Sequence, residues 1–139
     1  MTIQQTQTTS FKKELYQGVH DLETDHLYIA LYTSNASLDE NTTAYSTANE
    51  ITGTGYTAGG QLLQNVTVSS NGYTAYVSFD NPSWTSASFT ARCALIYNAS
   101  KANRSIAVVD FGANKTTTSV FTITLPANTA DSALIRSSN

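Results

Sequence analysis

His20, Asp21, Glu23, Asp25 and His26 form the densest gathering of potential metal ligands in the chain. Imidazoles and carboxylates suit zinc or a harder divalent ion, and an H-x5-H spacing across a turn can bring two imidazoles to one cation. The same residue types also serve a solvated connection between a helix and a strand, and that reading carries more weight. Nucleophilic catalysis needs a Ser or Cys beside a base and an orienting acid. The single cysteine, Cys93, lies between Arg92 and Ala94 at the start of an apolar run, has no partner for an internal disulfide, and reads as a small buried hydrophobe. No G-x-S-x-G elbow occurs. Glycoside hydrolysis requires two facing carboxylates; Asp80 and Asp110, at the ends of strand-like segments, are the candidates, though aspartates there more often cap turns. The segment GTGYTAGG at 53–60 lacks the lysine and spacing of a phosphate loop. The expectation is a protein with no catalytic residue, no metal and no cofactor, and not an enzyme.

The elements that would carry these residues are mostly strands. After a Gln/Thr tract at 1–9, Ser10 reads as an N-cap and FKKELYQG as a short helix over about 10–18, with Phe11, Leu15 and Val19 at i, i+4, i+8 and Gly18 as its stop. LYIALYT at 27–33 alternates Leu27, Ile29, Leu31 with Tyr28, Ala30, Tyr32, which predicts a strand covered on both faces. A long polar connection, 34–60, ends in the glycine corner Gly53, Gly55, Gly59, Gly60. LLQNVTV and YTAYVSF are paired through Ser70-Asn71-Gly72, a type I′ hairpin signal. FTARCALIY places Phe89, Ala91, Cys93, Leu95 and Tyr97 on one face by strict alternation; IAVVDF and VFTITL follow, and LIRSSN is a final strand or an arm. The fold class is therefore all-β: an antiparallel, jelly-roll-like β-sandwich with one short N-terminal helix, organised as an extended arm (1–9) and a single domain (10–139). Its core includes Ile29, Leu31, Val77, Phe79, Leu95, Val108 and Phe121.

Composition narrows the partners. Charged residues are 12% of the 139 positions, against roughly 25% in an ordinary soluble domain, while Thr, Ser and Asn together supply 49. The net charge of −3 offers no cationic surface for phosphates, so no nucleic acid is expected as a partner. With 40% hydrophobic residues and no long apolar run, no membrane partner is expected either. Residues 1–10 lack the basic and apolar regions of a secretory signal, so synthesis in a cytoplasm is expected. No Lys or Arg occurs between Lys13 and Arg92, and the balance turns basic from Arg92 onward. That segregation suggests chance, or opposite ends meeting across a subunit contact.

Taken together, F-K-K-E-L-Y-Q-G-V-H-D at 11–21, L-Y-I-A-L-Y-T-S at 27–34, T-A-Y at 43–45 and N-E-I-T-G-T-G-Y-T-A-G-G at 49–60 resemble a family of small structural proteins of tailed bacteriophages. Trp84, A-L-I-Y-N at 94–98 and D-F-G at 110–112 continue the likeness over about residues 11–125. The resemblance implies a virion building block made in the host cytoplasm, with no catalytic residues to carry over. Its leading form is a capsid decoration or cement protein whose partners are the major capsid protein or other virion subunits, and which forms a homo-oligomer. A tail or neck component and, in another class, a carbohydrate-binding adhesive module are the alternatives. The arm and the glycine corner are too polar to make cores of their own, so contacts outside the chain are expected to order them. The subunit-contact candidates are Thr2, Gln4, Thr8, Gly53, Gly55, Tyr56, Gly59 and Gly60, and the acidic stretch from Glu14 to Asp80 is expected to face basic groups of a neighbour.

Overall fold

A computed structural model describes residues 3–138. The fold is all-β, built from antiparallel sheets with one short α-helix among the described residues. The strands are β1 (Thr6–Gln7), β2 (Leu27–Tyr32), β3 (Gln61–Leu62), β4 (Thr67–Asn71), β5 (Thr74–Ser78), β6 (Ser83–Trp84), β7 (Phe89–Asn98), β8 (Arg104–Thr117), β9 (Phe121–Thr122) and β10 (Ile135–Ser137). The main sheet runs β1-β8-β7-β2-β3, and a three-stranded sheet β10-β5-β4 and a two-stranded sheet β6-β9 complete the set.

The main sheet is apolar on both faces because each face is covered. Ile29, Leu31, Ala94, Ile96, Ile106 and Val109 pack on one side against Val77, Phe79, Trp84, Phe121, Ile123 and Ile135 from the smaller sheets. On the other side Ala30, Tyr32, Cys93, Leu95, Tyr97 and Val108 pack under Ala36, Leu38 and Tyr45 of the long connection. The double coverage expected of β2 is thus present, and the seven core residues named from the sequence are all buried.

Several local expectations shift. Strict alternation puts Phe89 through Tyr97 on one face, but the β7–β8 register jumps between Ala91/Cys93 and again between Ile96/Tyr97. Between the pairs Ala91↔Lys115 and Cys93↔Asp110, β7 has one residue, Arg92, and β8 has 111–114; across this irregularity the parity of β7 changes, so Phe89 and Ala91 face the sandwich core while Cys93, Leu95 and Tyr97 face the connection. LLQNVTV is two strands, not one: β3 pairs with β2 and β4 with β5, and Asn65, at φ 57°, breaks the run between them. The β4–β5 hairpin closes on Asn71 and Thr74, so its two-residue turn is Gly72-Tyr73. Positive φ at Gly72 but not Asn71 or Tyr73 matches the type II′ pattern rather than I′.

Helix α1 (Thr9–Tyr16) starts earlier than expected. Its N-cap is Thr8, whose Oγ1 accepts from Phe11 N–H, and not Ser10. The N-terminal tract is no free arm where it is described: Thr6 and Gln7 pair with Val108 and Ala107, and Gln4 N–H donates to Leu38 C=O at 2.9 Å. β10 adds to β5, which decides the C-terminal segment in favour of a strand.

Candidate interaction surfaces

The glycine corner folds inward onto its own sheet. Glu50 stands at the centre: Oε1 accepts from Tyr45 Oη at 2.6 Å, and Oε2 accepts from Tyr56 Oη at 2.5 Å and Gly59 N–H at 2.8 Å. Tyr56 Oη also accepts from Leu31 N–H, and Tyr97 Oη donates to Gly59 C=O at 2.6 Å. Tyr97 stacks between Tyr45 and Tyr28, with centroids 4.6 and 5.9 Å away. Burial, reinforced by the Glu50 carboxylate, pushes the Tyr45 and Tyr56 hydroxyls well above the tyrosine range, and burial with the Glu50 charge pushes Tyr97 up to about 12. These phenols are therefore kept as donors. They clamp the 34–60 connection to β2 and β7.

Gly60 sits against the backbone of β2, where a Cβ would fall 1.9 Å from Ile29 O, at φ +83°. Gly53 and Gly55 back onto Ser88–Phe89 and Ala87 in the same way. The need for glycine here is thus internal close approach. Of the expected subunit contacts, Thr8 is fully buried in its own chain, and Tyr56 and Gly59 are spent on the Glu50 clamp. Gln4, Gly53 and Gly55 are exposed, and Thr2 lies outside the described residues.

The charges segregated along the sequence meet within one molecule. Arg104 Nη1 donates to Glu14 Oε2 at 2.9 Å, and Lys101 Nζ to Asp25 Oδ1 at 2.9 Å. Between these pairs lies a polar chain. Asn98, fully buried, accepts from Ser100 N–H through Oδ1, which aims its amide hydrogens at His20 Nδ1 (2.9 Å) and Asp25 Oδ2 (2.7 Å). His20 Nδ1 must then accept, so Nε2–H donates to Glu14 Oε1 at 2.8 Å. Desolvation by burial raises the Glu14 and Asp25 carboxyls, but hydrogen bonds from His20 and Arg104, and from Lys101 and Asn98, outweigh it and hold both below the usual range. Asp110 is held low by Arg92, its largest influence, and by Gly112 N–H. Asp80 accepts from Asn65 Nδ2 at 2.5 Å. His26 is exposed, and its backbone N–H donates to Ser100 Oγ at 2.8 Å. Among the described residues no three His, Cys, Asp or Glu are grouped to hold a metal ion. Cys93 is fully buried, and burial pushes its thiol up to about 12.

Two grooves stay open to solvent. One, about 660 Å³, runs between the outer half of β8 and residues 120–126, with Phe111, Phe121, Ile123, Leu125 and Leu134 in its wall. The other, about 550 Å³, lies between α1 with its following turn and the face of β10-β5-β4. Among the described residues the exposed large hydrophobic side chains are Leu15, Tyr16, Val68, Tyr73 and Val120. Leu15 and Val68 line the second groove; Tyr16 borders the adjoining shelf and Tyr73 forms the hairpin tip two residues from Ala75 in its wall. This surface was not legible in sequence, since its apolar residues come from three separate segments. Among the described residues no helix is long and apolar enough to cross a membrane. No protein-family model, no curated protein and no solved structure matches the chain.

Proposed function

We propose that this chain is a structural protein of a tailed-bacteriophage virion, and within that class a capsid decoration or cement protein. The observation that carries the reading is the resemblance over residues 11–125. The geometry supports it by the use made of the chemically capable groups. His20, Glu14, Asp25, Asn98 and the Glu50 cluster are engaged in holding elements together, while grooves with apolar walls and a hydroxyl-rich surface face outward. Such a surface docks cheaply, because desolvating Thr, Asn or Tyr costs less than desolvating Lys or Glu, and their hydrogen bonds are remade across the contact.

Quantitative mass spectrometry of particles from the encoding phage tests this. A copy number in the hundreds, with density on the shell, is the expected result. A dozen or fewer copies place the protein in tail or neck and overturn decoration; absence from particles overturns the virion reading. A second reading rests on Tyr16 and Tyr73, 92% and 86% exposed, since bare aromatic rings suit stacking on sugars. Glycan-array binding that is lost in Tyr16→Ser or Tyr73→Ser would establish it instead.

A further inference from the structure

We propose that the groove between α1 and the β10-β5-β4 sheet docks a second copy of this chain about a twofold axis. Exposed apolar area is concentrated there: of the five exposed large hydrophobic side chains among the described residues, Leu15, Tyr16 and Val68 line this groove and its shelf. Such concentration on one side of a small domain marks an interaction site rather than scattered surface residues.

Charge identifies the occupant. The turn after α1 supplies Asp21 and Glu23 to the groove, and none of the ion pairs among the described residues includes either of them. On the adjoining shelf stand Lys12 from α1 and Arg136 from β10, equally outside those pairs. Glu14 with Arg104, Asp25 with Lys101 and Asp110 with Arg92 are paired within the chain. Asp21 and Glu23 line the groove, Lys12 lines the adjoining shelf, and Arg136 on β10 borders both. An acidic part and a basic part on one surface are what a self-complementary contact needs, since a twofold axis can bring each part of one copy onto the opposite part of the other. The knob is present as well. Leu15 and Tyr16 stand up at the end of α1, and the groove floor of Val77 and Ile135, with Ala75 and Tyr76 beside it, is apolar and of a size that admits side-chain groups. This inference concerns the isolated chain and does not rest on the virion reading.

The test uses two charge-reversed variants, one with Lys12→Glu and Arg136→Glu, the other with Asp21→Lys and Glu23→Lys, each checked for native circular dichroism. In sedimentation velocity the wild type is expected to run as a dimer, and each variant alone as a monomer because like charges then face each other. An equimolar mixture of the two is expected to recover the dimer, since an all-acidic and an all-basic surface are complementary. Tyr16→Ser is expected to weaken dimerisation at least about tenfold, as truncation of a central aromatic does. A wild type that stays monomeric up to on the order of 100 μM overturns the proposal. So does a mixture that stays monomeric while the wild type dimerises. A monomeric wild type whose reversed variants fail to enter particles assigns the groove to the shell protein, which also overturns the second-copy reading.

Discussion

Glu50 gathers three of the hydrogen bonds that hold the long connection in place, and removing it has a calculable cost. Glu50→Ala leaves three donors without their acceptor: Tyr45 Oη–H, Tyr56 Oη–H and Gly59 N–H. An orphaned buried donor costs about 1–3 kcal/mol. Both tyrosines are only half-buried, so water reaches part of the cavity and the low end applies, giving about 3 kcal/mol in all. Glu50→Gln can accept from Tyr56 Oη and Gly59 N–H through its one amide oxygen while its NH2 donates to a reversed Tyr45 hydroxyl; the bonds are then neutral and of roughly half the strength, so about half that loss is expected. With a urea dependence of about 2 kcal/mol per molar, the alanine variant unfolds about 1.5 M earlier. Fluorescence of Trp84, which is buried in the sandwich core, reports the midpoint. Hydrogen exchange should also rise over 43–60, and there before the sandwich opens. An alanine midpoint within about 0.3 M of wild type would refute the clamp. Equal losses for Ala and Gln would show that the charge, rather than the three bonds, does the holding.

Three further outcomes follow from the same structure. Deleting residues 1–9 removes β1 and the Thr8 cap of α1, so thermal unfolding should drop by well over 5 °C; Thr8→Ala alone should cost about 1–2 kcal/mol. Stability should fall on both sides of neutrality: Glu14, Asp25 and Asp110 have lowered folded pKa values, so their contribution is present above the ordinary carboxylate range and lost as pH falls through the folded values. Tyr45, Tyr56 and Tyr97 have raised ones, so theirs is complete below about pH 10 and lost as pH rises beyond it; flat chemical-denaturation midpoints from pH 2 to 11 would contradict both. Cys93 should resist a thiol reagent in the folded state and react fully in denaturant, and rapid native labelling would show that the connection does not seal that face.

The strand pattern was legible because β-branched and aromatic residues alternate in β2, β5 and β8, and the core residues drawn from that alternation are buried. The parity change in β7 was not, since nothing in FTARCALIY marks it; it arises where residues 111–114 of β8 stand opposite Arg92 alone. The glycine corner was seen as a place of close approach, but not whose backbone approaches, because Ile29, Ser88 and Ala87 are distant in sequence from the glycines they meet. The polarity of the connection suggested an outside partner. Its few apolar residues, Ala36, Leu38 and Tyr45, together with Glu50, suffice to cover the sheet. His20 was read as part of a solvated turn with Asp21, Glu23, Asp25 and His26, a ligand cluster being the weaker alternative, whereas its partners are Glu14, six residues before it, and Asn98, 78 residues after it.

The segregation of charge along the chain has a consequence for how the molecule is made. β2, the first long strand to leave a ribosome, takes β7 as its neighbour, with Leu27 opposite Asn98 and Tyr32 opposite Cys93. Glu14 waits for Arg104, 90 residues on, and Asp25 for Lys101, 76 residues on. Until those residues emerge, β2 has only the two-residue β3 to pair with and the acidic first half only Lys12 and Lys13 as cations, and its mutual repulsion opposes premature collapse. Docking therefore comes late and in a concerted way, around the β7–β8 hairpin as its template. Pairing at such sequence separation makes for slow folding, and the repulsion that delays it also keeps nascent copies apart until each can close on itself.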